Sequence, residues 1–412
     1  MAACHRGRSI GIGAAAMMAA PPEGQEAPQA PAPAPASAPV PAPAPAPAPA
    51  SACSKAVSFY WNNYLPLMMI FVVFFGFLVP APGAALDRPK IELCDEGDTG
   101  CDLGAMKVMS SIAIFMQFVL SGLGLKTDDV ASAMKEWKGI IYAFTSINFV
   151  TGCMAFLAVQ LPFEPKELSI GLAIFCAMPT TLSSGAVLVG QADGNVTLAL
   201  LLTAGTNILG IFTIPFMLKL YLSTNTDVKI SPVPMLIKLM CTILFPLLLG
   251  KALRQIQPLA DYRLANKKWF GIASSSFLVT VPWMKVSSAA DEIEKLPVGN
   301  IFLLVLCAIL LHLFYLAFNT LMTAPLQLAV KERKAVIILT SQKTLPVAVT
   351  VISYLDDTWQ LGIIVIPVVI CHLTQLLIDS LFVSGWGERT APGGFLGLGL
   401  RPDTAKDVTA MP

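Results

Sequence analysis

Two stretches of this chain place polar chemistry inside apolar sequence. The first is Cys176-Ala-Met-Pro-Thr-Thr-Leu-Ser-Ser-Gly185; the second is Thr340-Ser-Gln-Lys-Thr-Leu-Pro346. Proline lacks a backbone donor and crowds the preceding turn, so each stretch is expected to break a helix. A broken helix exposes carbonyls at one half-helix end and N–H groups at the other. The carbonyl end attracts cations and the N–H end attracts anions. Thr180, Thr181, Ser183 and Ser184 beside the first break, and Ser341, Gln342 and Thr344 beside the second, add neutral oxygen ligands. Lys343 adds a charge. A lysine at the centre of a membrane helix costs about 2.5–3.5 kcal/mol on insertion scales, so it should face protein or water. This is the chemistry of holding ions and charged solutes. The chain shows no phosphate loop, nucleophile elbow or metal-hydrolase pair, and an enzyme is not expected.

The bland reading has weight. Proline inside transmembrane helices is common, and hydroxyl side chains often just satisfy freed backbone groups. Two breaks at matching places in two halves, one of them with a lysine, outweigh it.

The elements that must position these residues follow from composition. Hydrophobic residues make up 55% of the chain and charged residues 13%, about half the usual globular charged share. A multi-spanning membrane protein is expected, with the lipid bilayer as its partner. The formal net charge of +1 argues against nucleic acid as a partner. Nine cysteines lie scattered without zinc-site spacing. Cys94 and Cys101 share a polar loop and either pair or stay reduced, according to the compartment.

Ten apolar runs, each long enough to cross the hydrocarbon layer, fall near 59–79, 107–124, 139–160, 168–190, 195–220, 233–253, 267–285, 299–324, 334–355 and 360–384. Residues 1–56 are a Pro/Ala-rich tail expected to be disordered, and so are the Gly- and Pro-rich residues 387–412. Residues 57–386 form the expected transporter domain, with repeats at about 57–222 and 230–386. Basic connectors carry Lys126, Lys135, Lys138, Lys251, Arg254, Arg263, Lys267, Lys268, Lys331, Arg333 and Lys334, while the opposite loops are acidic. That asymmetry places both termini on the cytoplasmic side, or the stromal side of an organelle membrane. Asn195-Val-Thr197 matches a glycosylation sequon, but in a turn expected on the same side, where it goes unused.

The broken runs are the fourth member of each half. Paired interruptions of this kind are the best sequence pointer to an inverted-repeat secondary transporter.

Three motifs carry a family likeness: Met178-Pro-Thr-Thr-Leu-Ser-Ser-Gly185, Asn207-Ile-Leu-Gly-Ile211 and Ser341-Gln-Lys-Thr-Leu-Pro-Val-Ala-Val-Thr350. On these the chain resembles the bile acid:sodium symporter superfamily. It looks most like the branch holding solute carrier family 10 member 7 and the plant chloroplast-type sodium/metabolite cotransporters. The likeness covers about residues 57–386. It implies an all-α integral membrane fold of ten transmembrane helices in two inverted five-helix repeats, with broken helices four and nine crossing. Spans three to five and eight to ten would form a core, and spans one, two, six and seven a panel. Solute and ions would bind between the two.

The resemblance also implies site residues. Ser183 and Ser184 match a hydroxyl/amide pair on span four. Thr206 and Asn207 match a polar pair on span five, with Thr203 a turn earlier. Gln342 falls where sodium-coupled members carry an acid, and Pro346 where they carry a glutamine. A sodium set of Ser183, Ser184, Thr206, Asn207 and Gln342 therefore lacks its usual charge, and Lys343 stands beside it. Its ammonium would take the carbonyl-lined place of a sodium ion, making the chain sodium-independent or proton-linked; the alternative is that Lys343 is a structural pin bonded to backbone carbonyls, which leaves sodium as coupling ion. No other cofactor is implied. Asn148 would stand in for an amide on span three.

His372 and Gln375 lie one turn apart in span ten with Asp379 beyond, and are read as core-lining. His312 and Asn319 share a face of span eight, where packing outweighs function. The expected function is a secondary transporter of a small organic anion or metabolite, working by alternating access. The alternative is a regulatory membrane protein acting on calcium or ion homeostasis without bile-acid-type transport. Plastid envelope and plasma membrane both fit the location. Oligomeric state is not legible in any of these features.

Overall fold

Lipid offers no hydrogen-bond partner, so a spanning backbone must satisfy itself, and helices do so within one segment. A computed structural model shows that outcome for residues 64–92, 105–124, 134–181, 184–223, 230–355 and 359–384. The two tails, Ser183, Cys94 and Cys101 lie outside the described residues.

In chain order the helices are α1 (Tyr64–Leu78), α2 (Pro80–Asp87), α3 (Val108–Gly124), α4 (Trp137–Thr145), α5 (Met154–Val159), α6 (Glu167–Ala177), α7 (Ser184–Gln191) and α8 (Val196–Ser223). The second half gives α9 (Pro232–Leu239), α10 (Phe245–Leu253), α11 (Gln257–Ala265), α12 (Lys267–Ser288), α13 (Ala290–Glu294), α14 (Val298–Thr323), α15 (Val330–Ser341), α16 (Leu345–Ile352) and α17 (Leu361–Ser384). A short hairpin also forms: β1 (Lys90–Glu92) pairs antiparallel with β2 (Ala105–Lys107), with Ile91 opposite Met106. The all-helical expectation did not include it.

Six helices among the described residues are long and apolar enough to cross a membrane, or seven when a bent pair counts as one span. The bent pair corrects the first expected run, which ended at residue 79. The chain turns by 95° there and continues as α2. Pro80 opens that helix, a place where its missing N–H costs nothing. α12 is helical as expected, but its serines and three lysines keep it outside the six.

Packing is densest in two groups. α3 packs on α10 and α12, and α12 also covers α1 and α2. In the other, α6 packs on α5 and α17, α14 on α15 and α17, and α8 on α7 and α15; α12 packs on α17 and joins the two, with Gly362 against the Lys285 carbonyl. Glycines set the closest approaches. A Cβ at Gly122 would collide with the Leu247 carbonyl, and one at Gly250 with the Val119 carbonyl, so α3 and α10 meet backbone to backbone. Phe302, Leu306, Leu310, Leu313 and Leu321 leave one side of α14 apolar and exposed, as a lipid-facing surface should be. By contrast, every residue from Arg333 to Ile352 is buried. The lysine-bearing span is wrapped in protein.

A buried charge cluster ties α2 into the first set. Asp87, at the end of α2, accepts from Lys285 of α12 at 2.9 Å and from Lys107 of β2 at 2.6 Å. Ser110 and Ser288 add hydroxyl donors to the same carboxylate. A carboxylate so enclosed is tolerable because both oxygens are satisfied.

Candidate functional site

α6 and α15 both stop at extended residues. Met178, which ends α6, has ψ 153°, and Gln342, which ends α15, has ψ 152°. Thr344 is also extended and leads into α16, with Pro346 in its first turn. The two breaks meet. The Thr344 N–H donates to the Pro179 carbonyl at 2.8 Å, and the Thr180 hydroxyl donates to the Leu339 carbonyl at 2.6 Å. Leu339 lies in the last turn of α15, where carbonyls lack an intrahelical partner. Each break thus supplies what the other leaves unmade.

Thr181 makes the next link. Its Oγ1 donates to Gln342 Oε1 at 2.8 Å and accepts from the Gly185 N–H at 3.0 Å, in the first turn of α7. Asn207 of α8 donates to the Thr180 carbonyl at 2.9 Å and to the Thr203 carbonyl at 2.7 Å. Thr206 turns its hydroxyl back onto the Leu202 carbonyl. Ser184 opens α7 and is half-buried.

Lys343 is fully buried in the second break. Its Nζ donates to the Ile147 carbonyl and to Thr151 Oγ1, both at 2.9 Å, and lies 5.8 Å from the centroid of the Tyr315 ring. The acceptor carbonyl exists because Ser146–Val150 form a π turn within the third span. A π turn shifts the backbone register and is frequent at functional sites. Tyr315 secures the dock by donating to the Thr151 carbonyl at 3.0 Å. Asn148 turns its own amide onto the Phe144 carbonyl instead, so the span-three partner of the lysine is backbone and hydroxyl.

Further groups converge from α14 and α17. Gln375 brackets Lys343, accepting from its N–H at 2.9 Å and donating to its carbonyl at 2.7 Å. His372 faces the same Gln375 amide through Nδ1 at 3.0 Å. Asn319 donates to Ser341 Oγ and to the Thr340 carbonyl, each at 3.3 Å, and its own oxygen accepts from Tyr142 and Ser146. Gln342 Nε2 donates to Asp379 Oδ2 at 2.6 Å, and His312 Nε2 meets Asp379 Oδ1 at 2.7 Å. The structure therefore gathers the sequence-chosen Thr180, Thr181, Thr203, Thr206, Asn207, Ser341, Gln342, Lys343, Thr344 and His372 around one crossing. Asp379, Asn319, Thr151 and the Ile147 carbonyl belong to the same network, although sequence reasoning did not single them out as ligands. The seven-residue spacing of His312 and Asn319 was the available signal for one of these faces.

Among the described residues no group of three or more His, Cys, Asp or Glu is placed to hold a metal ion. Three buried oxygens near the breaks, Thr203 Oγ1, Asn207 Oδ1 and Thr344 Oγ1, have no partner. Neutral oxygens left bare in a buried place are what a weakly held hard cation uses.

A small cleft of about 10 Å³ lies beside the second break, lined by Ile114 and Gln117 of α3, Phe277, Leu278 and Val281 of α12, and Pro346 and Val349 of α16. It is apolar except for Gln117, whose Oε1 is buried without a partner.

A profile of the SBF-like CPA transporter family matches residues 63–388. Over 348 residues the chain is 34% identical to a protein of Arabidopsis thaliana named probable sodium/metabolite cotransporter BASS4, chloroplastic, covering 82% of this chain and 75% of that one. A rice protein (Oryza sativa subsp. indica) of the same name is 33% identical across 82% of this chain and 78% of its own length. The rat protein named sodium/bile acid cotransporter 7 is 27% identical over 315 residues, 74% of this chain and 89% of the rat chain. With its apolar helices and enclosed polar crossing, the chain belongs to the SBF-like CPA transporter family of the bile acid:sodium symporter superfamily, whose members are multi-pass membrane transporters and not enzymes.

Proposed function

We propose that the chain is a secondary transporter that moves a small organic anion or metabolite by alternating access. The observation that carries this reading is the reciprocal bonding of the two breaks, Thr344 to Pro179 and Thr180 to Leu339. Such a crossing sets a half-helix N-terminus and a half-helix C-terminus side by side at one site. No side chain caps the N-terminus of α16, so its positive end is free to meet an anionic group. The small cleft beside Pro346 is walled by apolar residues and Gln117, and in this reading those walls face the rest of the solute once the helices of α3 and α12 move away from α16.

In this reading the helices divide into a panel built around α3, α10 and α12 and a core built around α6, α8, α14, α15 and α17. The dense packing within each group supports that division, with the α12–α17 contact as the place where the two meet. Ten spans in two inverted halves complete it, with both termini on the stromal or cytoplasmic side. A sodium ion is the first coupling candidate, held by Ser183, Ser184, Thr203, Thr206 and Asn207. Unpartnered oxygens on Thr203 and Asn207 support it, as do relatives named for sodium. Gln342 brings no charge to that set. Relatives named as cotransporters favour flux over regulation without flux, and those named chloroplastic favour the plastid envelope.

The test is uptake of a panel of labelled organic anions into vesicles reconstituted with the full chain, with and without an inward sodium gradient. Saturable uptake that sodium accelerates is expected. No saturable uptake of any anion in either condition would sink the proposal.

A further inference from the structure

The cleft beside the second break holds an acceptor that no described residue uses. Gln117 of α3 is 4% exposed, and its Oε1 is buried without a hydrogen-bond partner. The other end of the amide is taken: Nε2 donates to Ser121 Oγ at 3.2 Å, one turn along the same helix. Buried polar groups are nearly always paired, so an exception asks for a reason. A trapped water is a poor one. A cleft of about 10 Å³ has room for about one. A buried water makes about three hydrogen bonds, and the other lining residues, Ile114, Phe277, Leu278, Val281, Pro346 and Val349, offer it no polar side chain.

Hydroxyls close by in sequence are engaged elsewhere. Ser276 and Thr280 of α12 donate to the Ile272 and Ser276 carbonyls, and Thr350 of α16 donates to the Pro346 carbonyl. Gln117 also stands on a fixed element. Five residues on, Gly122 sets α3 backbone to backbone against α10, and a side chain on a rigid element reads a ligand more sharply than one on a loop. The core side of the cleft is Pro346 and Val349 of α16, the helix whose N-terminus has no side-chain cap. One cleft therefore brings a neutral acceptor on the panel and a positive helix end on the core to the same occupant. The helix end takes an anionic group. The amide oxygen takes an O–H or N–H and is repelled by a second acceptor.

We infer that Gln117 is a specificity-determining residue, and that the solute is a small organic anion that also carries a hydroxyl or amide N–H: a hydroxy acid or an N-acyl amino acid, rather than a plain or keto acid. The acid group is held at the α16 N-terminus, and the donor meets Gln117 Oε1 once α3 and α12 draw back from α16. Such a solute bonds core and panel at once. A plain acid leaves Oε1 as bare as it is without solute. A keto acid sets a second acceptor against it. A hydroxyl also makes a solute harder to take out of water, so tighter binding of the hydroxylated member of a pair requires a partner for it inside the protein. The inference deepens the transport reading and rests on it for the identity of the site.

The test is calorimetric titration of the purified full-length chain, in sodium chloride, with matched anions. Lactate is set against propionate and pyruvate, 3-hydroxybutyrate against butyrate, and N-acetylglycine against 4-oxopentanoate, in which a methylene replaces the N–H. The donor-bearing member of at least one set is expected to bind at least about tenfold more tightly than its partners. Gln117→Met, similar in length but without the amide acceptor, is expected to bring that ratio to within about threefold. The wild-type comparison decides by itself if the variant does not fold. Sets whose members bind alike, or a plain or keto member that binds more tightly, overturn the inference and leave the transport reading standing. A tenfold preference that survives Gln117→Met also overturns it. Binding by none of these anions overturns it as well, while the uptake screen decides the transport reading separately.

Discussion

The Lys343 ammonium sits 2.9 Å from the Ile147 carbonyl, 196 residues away in the chain. A positive charge from the second break is thereby planted in the π turn of the third span. Here the cation is tethered.

A tethered cation should exclude a free one. Lys343→Gln removes the ammonium while leaving the Ile147 carbonyl and Thr151 hydroxyl as acceptors. Thermal unfolding of the purified variant should respond more strongly to sodium chloride against choline chloride than the wild type does. An unchanged sodium response would show that the dock accepts no free ion.

Thr180→Val removes the hydroxyl that satisfies the Leu339 carbonyl but keeps the side-chain shape. A buried acceptor left bare costs about 1–3 kcal/mol. The melting midpoint should fall accordingly, and uptake should fall with it because the two breaks lose one of their three direct bonds. A midpoint equal to wild type would mean that Thr180 is not holding the crossing.

Asn207 separates structure from ion binding. Its amide nitrogen makes two bonds and its oxygen none. Asn207→Asp cannot donate either bond and should unfold at lower temperature by about 1–3 kcal/mol. Asn207→Ala should also abolish the stabilisation by sodium. Retention of full sodium stabilisation in Asn207→Ala would remove this oxygen from the ion site.

The glycine contact between α3 and α10 predicts a contrast within one experiment. Gly250→Ala forces a methyl group against the Val119 carbonyl, whereas a Cβ at Gly299 meets nothing within 4 Å. Overpacking of this kind costs about 1–3 kcal/mol. Melting of Gly250→Ala below wild type, with Gly299→Ala within about 0.5 kcal/mol of it, is the expected pair of results. Equal midpoints for both variants would show that the contact yields.

Much of this site was legible because its residues break local rules. Pro179, Lys343 and Pro346 do not belong in an apolar helix, and hydroxyls beside them mark the exposed backbone. Asp379 and His312 were visible as oddities too, but their meeting was not, because 67 residues separate them. Periodicity places a residue on a face; it does not say which other helix that face meets. The end of the first helix was legible, since the apolar run stops at residue 79 before Pro80, but the 95° turn and the second helix after it were not, because composition gives a helix's length and not the direction the chain takes next. The β1–β2 hairpin was invisible because three-residue strands carry too little pattern to register.

The π turn at Ser146–Val150 has one more consequence. Such a turn accommodates one residue beyond what an α-helix holds over the same rise. Loss of a residue within a membrane helix ordinarily rotates all that follows by about 100°. Here a shortened third span has a regular helix available to it, one that closes over the Ile147 carbonyl and takes from Lys343 its backbone acceptor. The berth for that lysine is written as a length of chain as much as a choice of side chain.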